Sequence, residues 1–131
     1  MRIRILCWVL ATLSFASLRA QSQPLVDYHQ HLFGSRVTHL SSGLDPITAS
    51  DLITALDLVG IRRALVLSVA YQFGNPNKPT IQNEYAQVKA ENDWTSQQVA
   101  LYPDRLRAFC SFNPLRAYAL DEVKRCAADP R

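Results

Sequence analysis

Broad charge is missing from most of this 131-residue chain. Arg2, Arg4 and Arg19 stand in the first twenty residues, where there is no Asp or Glu, and the remainder carries 11 basic and 11 acidic side chains. A neutral body has no field that gathers nucleic acid or an anionic membrane, so neither is an expected partner. Cysteine is scarce: Cys7, Cys110 and Cys126 form no Cys-x-x-Cys, and their spacing fits no metal motif. The sequence has neither a glycine-rich phosphate loop nor a Gly-x-Ser-x-Gly elbow, which leaves nucleotide binding and serine hydrolysis without support. Internal repeats, low-complexity tracts and linkers are absent as well. With 48% hydrophobic residues, the chain reads as one globular domain or a piece of one.

What is present begins with an address. Met1 to Arg4 is a short positive segment, and Ile5 to Leu18 is a mostly apolar run, shorter than the ~20 residues a bilayer span needs. Ala20 and Ser22 are small enough to precede a signal-peptidase cut. Residues 1–22 are therefore read as a signal peptide, with export to the periplasm or the exterior and no membrane attachment after cleavage. Residues 23–131 are the domain. Of its two cysteines, Cys110 is placed in a buried strand and Cys126 on a helix, so both are expected as free buried thiols.

Strands and helices then alternate. Leu25 to His31 is a strand candidate after Pro24. Thr48-Ala49-Ser50-Asp51 sets a hydroxyl three residues before a carboxylate, and Leu52, Ala55, Leu56 and Val59 follow at helical spacing before Gly60. Arg63 to Val69 has the near-continuous apolar character of a buried parallel strand. A long loop over residues 70–80 precedes one long helix, Ile81 to Tyr102, whose stripe is Ile81, Tyr85, Val88, Asn92, Thr95, Val99 and Tyr102. Asn92 in that stripe needs hydrogen-bond partners, from a helix-to-loop bond or from a functional site. Leu106 to Phe112 is a third strand, and Tyr118 to Ala127 a third helix with Ala119, Leu120, Val123 and Ala127 inward. The class is α/β with a parallel sheet. At roughly 36 residues per βα unit, eight units need about 290 residues, so the chain has material for the first three βα units of an eight-fold (β/α)8 TIM barrel, incomplete as it stands.

Asp27, His29 and His31 are the residues that carry chemistry. On a regular strand every second side chain shares a face, which sets these three together and Val26, Tyr28 and Gln30 opposite. Two imidazoles at i and i+2 can hold one divalent ion such as Zn²⁺, with Asp27 supporting or orienting them. His39 and Arg36 in the following loop read as surface residues. Tyr71 and Phe73 in the second loop either wall a pocket or cover the sheet end.

On several segments together the sequence resembles the amidohydrolase superfamily, in the branch of TIM-barrel metal-dependent hydrolases that includes the aminocarboxymuconate-semialdehyde decarboxylase-like enzymes. The matching segments are Val26-Asp27-Tyr28-His29-Gln30-His31, Leu58 to Leu67, Glu91-Asn92-Asp93-Trp94, Tyr102-Pro103-Asp104-Arg105-Leu106 and Phe112-Asn113-Pro114. The Asp-x-His-x-His element is shared with other metal-dependent barrels, and the Tyr-Pro-Asp-Arg segment and its neighbours tilt the choice. The resemblance implies that His29 and His31 are the first two ligands of a metal, with zinc the expected ion, in an enzyme that hydrolyses an amide, ester or lactone, or decarboxylates, through a metal-activated water. The substrate is then a small molecule. The family's later ligands and its final-strand aspartate have no counterpart here, so no catalytic residue is assigned and the 131 residues alone are expected to be inactive. Two other readings stay open: part of a metal-dependent phosphoesterase barrel, and a non-catalytic α/β binding module.

Overall fold

A computed structural model describes residues 25–40 and 45–130. The expected signal peptide, residues 1–22, and its cleavage points lie outside the described residues. Three parallel strands, β1 (Val26–Gln30), β2 (Arg63–Leu67) and β3 (Leu106–Phe109), form one sheet in the order β1-β2-β3. The connections carry the short helix α1 (Ser35–Thr38), α2 (Ala49–Leu58) and α3 (Glu84–Ala100), and α4 (Ala119–Ala127) follows β3. The chain is therefore α/β with a three-stranded parallel sheet, as the alternation of patterns leads one to expect. Among the described residues no helix is long and apolar enough to cross a membrane.

One face of the sheet makes the main core. Ala64 and Val66 from β2 and Leu106 from β3 meet Leu52 and Leu56 of α2 and Val99 of α3, all buried. Their neighbours along the strands, Arg107 and Phe109, turn away, and Phe109 is 54% exposed. A second cluster fills the space beyond the strand ends: Val37, Val69, Ala70, Phe73 and Val88. Phe73 thus covers the sheet end, while Tyr71 stays exposed.

Local signals explain the element boundaries. Thr48 and Asp51 close a reciprocal capping box, with the Thr48 backbone N–H donating to Asp51 Oδ2 at 2.9 Å and the Asp51 N–H donating to Thr48 Oγ1. Gly60 takes a left-handed φ of 73° just past the end of α2, a conformation that costs a residue with a Cβ. Arg105 of the Tyr-Pro-Asp-Arg segment then clamps that turn, donating to the carbonyl of Arg62 and pairing with Asp57. The long helix starts later than its apolar spacing suggests, at Glu84, because Asn83 adopts a left-handed φ of 57°. Its stripe faces inward as expected, with Val88, Asn92, Thr95 and Val99 buried.

Three expectations need correction, and one network is the reason for all three. β3 ends at Phe109 rather than Phe112, because the backbone of Ser111 is taken by the Asn92 side chain: Asn92 Oδ1 accepts from the Ser111 N–H at 3.0 Å and Nδ2 donates to its carbonyl at 3.1 Å. Asn92 Nδ2 also donates to Glu122 at 2.7 Å, and Arg125 holds both oxygens of that carboxylate. Helix α4 therefore turns Ala119 and Glu122 inward, leaving Leu120 73% and Val123 46% exposed. Turning those two inward would take Glu122 away from Asn92 and leave the second N–H of its buried amide without a partner. With α4 so rotated, Cys126 meets Cys110 just past β3, and the two form a disulfide with Cα atoms 6.4 Å apart in place of two free thiols.

The cross-link joins residues 16 apart in sequence. Closing a loop of that size in the unfolded chain corresponds to about 3 kcal/mol. Urea unfolding of the Cys110→Ser/Cys126→Ser variant is expected to give a stability lower by about that amount; equal stabilities would mean the cross-link constrains nothing that unfolding releases.

Candidate functional site

The C-terminal end of β1 carries the imidazole pair. His29 lies within the strand and His31 directly after it, with Nε2 of one 3.1 Å from Nε2 of the other and ring planes at 83°. His31 is half-buried, and its Nδ1 lies 2.7 Å from the carbonyl oxygen of Leu67 at the end of β2. A carbonyl only accepts, so Nδ1 carries the hydrogen, and Nε2 of the neutral ring presents a lone pair toward His29. His29 is exposed and has no fixed partner for its own Nδ1 among the hydrogen bonds of the described residues. The pair can thus be closed by a hydrogen bond from His29, or by a cation between two lone pairs.

Asp27 enters this arrangement through the backbone. Its Oδ1 accepts the His29 backbone N–H at 3.0 Å, and its Oδ2 accepts from the Gln30 side-chain amide at 2.6 Å. The pairing of β1 with β2 shifts register between Asp27 and Gln30, which stand opposite Ala64 and Val66. That irregularity breaks the simple alternation, so Gln30 meets Asp27 instead of pointing away from it. The carboxylate holds the extra residue of the strand in place, and His29 is carried on it. The order of the side chains is legible in the sequence. The bulge is not, because it arises from pairing with β2.

The remaining polar residues at this end divide clearly. His39 is exposed as the residue closing α1 and shares no cluster with the imidazole pair, and Arg36 is exposed on α1. Among the described residues the group of three metal-ligating atoms within 4.8 Å of one another is Cys110, Glu122 and Cys126, on the helix side of the sheet. A cavity of about 370 Å³ opens between the loops after β2 and β3, lined by Tyr71, Pro76, Phe112 and Leu115 among others. Its rim is set by Asn113, whose amide donates to the Gly74 carbonyl at 2.7 Å.

Glu91 is a residue to which the sequence reading gave no role. It is fully buried on α3, where Oε1 accepts the Gly34 backbone N–H at 3.3 Å and Oε2 has no hydrogen-bond partner. A Cβ at position 34 would lie 3.0 Å from Oε2 and 3.2 Å from Trp94, so glycine there is what admits the carboxyl group. Burial pushes its pKa above the ordinary carboxylate value, against the smaller effects of the Gly34 N–H and the Arg36 charge. In the sequence Glu91 stands out only as part of the segment Glu91-Asn92-Asp93-Trp94, and nothing in the pattern links it to Gly34.

No family model and no curated protein matches the chain. Among solved structures, it is similar to a probable 2-pyrone-4,6-dicarboxylic acid hydrolase of Acinetobacter baumannii, solved with citric acid bound. The identity is 19%, the TM-score 0.41, and the match covers 79% of this chain. It spans 34% of that protein's length.

The Glu91 carboxyl makes a pH prediction. The folded chain holds its proton more tightly than the unfolded chain, in which it titrates near 4.5. Its contribution to stability is therefore full below that value and is lost as pH rises through the folded-state pKa. Glu91→Gln cannot ionise, so thermal melts are expected to show the variant more stable than the wild type at neutral pH, with the gap closing in acid. A gap independent of pH would show that the Glu91 carboxyl titrates alike in the folded and the unfolded chain.

Proposed function

We propose that this chain is the first part of a metal-dependent hydrolase of the amidohydrolase type, in which His29 and His31 hold a divalent ion, zinc by preference, and Asp27 supports them. The observation that carries this is the 3.1 Å approach of two Nε2 atoms, one of them committed to a lone pair by the Leu67 carbonyl. Two neutral imidazoles with that orientation are the donor set a borderline-soft divalent ion takes, and a carbonyl behind one ring is the usual outer support of a histidine ligand.

Each residue has a separate task. His31 is oriented before any ion arrives, because its Nδ1–H is spent on Leu67. His29 turns its lone pair inward by carrying its hydrogen on the exposed Nδ1. Asp27 keeps the backbone N–H of His29 in place, so the two rings stay converged. The metal, when bound, acidifies a water or polarises a carbonyl oxygen of a small-molecule substrate. Two protein ligands fall short of the three usual at a catalytic zinc, so on this reading the 131 residues bind the ion weakly and do not turn over substrate. The strands are then the first three of a (β/α)8 barrel, with the imidazoles at the strand ends where such barrels keep their active sites.

The reading includes export to the periplasm or exterior, supported by the Cys110–Cys126 disulfide, since such bonds persist in oxidising compartments. It includes no nucleic-acid partner.

Calorimetric titration of Zn²⁺ into the oxidised chain tests the ligand assignment. His29→Ala and His31→Ala are each expected to weaken binding by about tenfold or more. An affinity unchanged in the double variant would remove the proposal.

A further inference from the structure

The helix side of the sheet holds a second group of metal-ligating atoms. Cys110 leaves the end of β3, while Glu122 and Cys126 stand four residues apart on one face of α4, and their sulfur and carboxylate atoms lie within 4.8 Å of one another. Glu122 is fully buried, and its Oε1 is 3.5 Å from the Cys126 sulfur. A cavity of about 230 Å³ opens beside them, lined by both cysteines, Asn92, Thr95 and Ser96 among others. The Thr95 hydroxyl that lines it is buried and has no hydrogen-bond partner. An unpartnered buried hydroxyl beside a space this large is a place for a polar ligand, because water needs only about 10–15 Å³ of such volume and two or more partners.

We infer that the reduced chain binds a thiophilic divalent cation of the zinc class through Cys110, Cys126 and Glu122, and that formation of the disulfide closes this site. This inference does not rest on the imidazole pair. In the oxidised chain the two sulfurs are bonded to each other and have no thiolate to offer. A dithiol reductant breaks the S–S bond, is itself oxidised to a disulfide, and leaves two thiols. On binding, each thiol releases its proton to solvent and forms one metal–sulfur bond. Glu122 supplies the third ligand, and the fourth position faces the cavity, where a water can donate to or accept from Thr95.

A cation has charge to offset at this site. Reduction and metal binding place two thiolates beside the Glu122 carboxylate, which Arg125 already holds at 2.8 and 2.9 Å. A divalent cation offsets the two thiolates, and Arg125, which also pairs with Asp93 at 2.5 Å, stays beside Glu122. Sulfur donors select zinc-class ions over magnesium or calcium.

Cadmium tests this, because its thiolate complexes absorb in the ultraviolet by charge transfer. The full chain is reduced with a phosphine, which does not compete for the metal as a thiol would, and titrated with Cd²⁺ while far-ultraviolet circular dichroism follows the fold. The expected result is a charge-transfer band that saturates at one ion per chain with the helical signal kept, and no band in the oxidised chain. The His29→Ala/His31→Ala variant should keep the band, Cys110→Ser should lose it, and Glu122→Gln should weaken binding about tenfold. No band in the reduced chain, a band that accompanies loss of helix, or equal binding by Glu122→Gln would each overturn the inference.

Discussion

The side-chain amide of Asn92 pairs with the backbone just past β3 as a neighbouring strand would. Its oxygen and nitrogen pair with the N–H and C=O of Ser111 where β3 has run out of a partner, and the same nitrogen meets Glu122. A buried amide left with open valences costs far more than one satisfied pair contributes, so everything around Asn92 is arranged to close it. The consequence runs outward through the structure. Glu122 must face the interior, α4 is rotated to bring it there, and that rotation sets Cys126 against Cys110. Ser111 in turn accepts the Tyr71 N–H on its hydroxyl, which ties the loop after β2 to the end of β3.

The ends of the strands are therefore held from two directions. From the helix side, the Asn92 network fixes where β3 stops. From the neighbouring strand, the Leu67 carbonyl fixes the ring of His31. The 3.1 Å spacing of the two imidazoles depends on the second of these and on the bulge that Asp27 holds. Parallel strands in register deliver successive carbonyls to one end of the sheet, and at that end a carbonyl without a ladder partner is free to orient a side chain.

Much of the architecture is legible in the sequence. The capping box at Thr48, the apolar run from Ala64 to Leu67 and the stripe of α3 each follow from a local rule, and each rule held. The His-x-His spacing placed two imidazoles at the end of the first strand. What failed were the facings of α4 and of Gln30 in β1, each read from the element's own pattern. Leu120 and Val123 are the apolar residues of α4, yet they lie outward, because Asn92 has a stronger claim on the inward face than two methyl-bearing side chains. Gln30 meets Asp27 because the strand bulges. Glu91 lies fully buried because Gly34, 57 residues away in sequence, leaves room for it.

Periodicity, caps and turn residues act over a few residues, so the order and type of the elements, and the presence of two imidazoles at the end of the first strand, could be read from the chain alone. Which way α4 faces, where β3 stops, that Cys110 and Cys126 are bonded, and which imidazole nitrogen carries a hydrogen were settled only by packing. Each of these depends on a polar group finding its partner across the fold, and hydrogen-bond satisfaction between distant residues leaves no periodic trace in sequence.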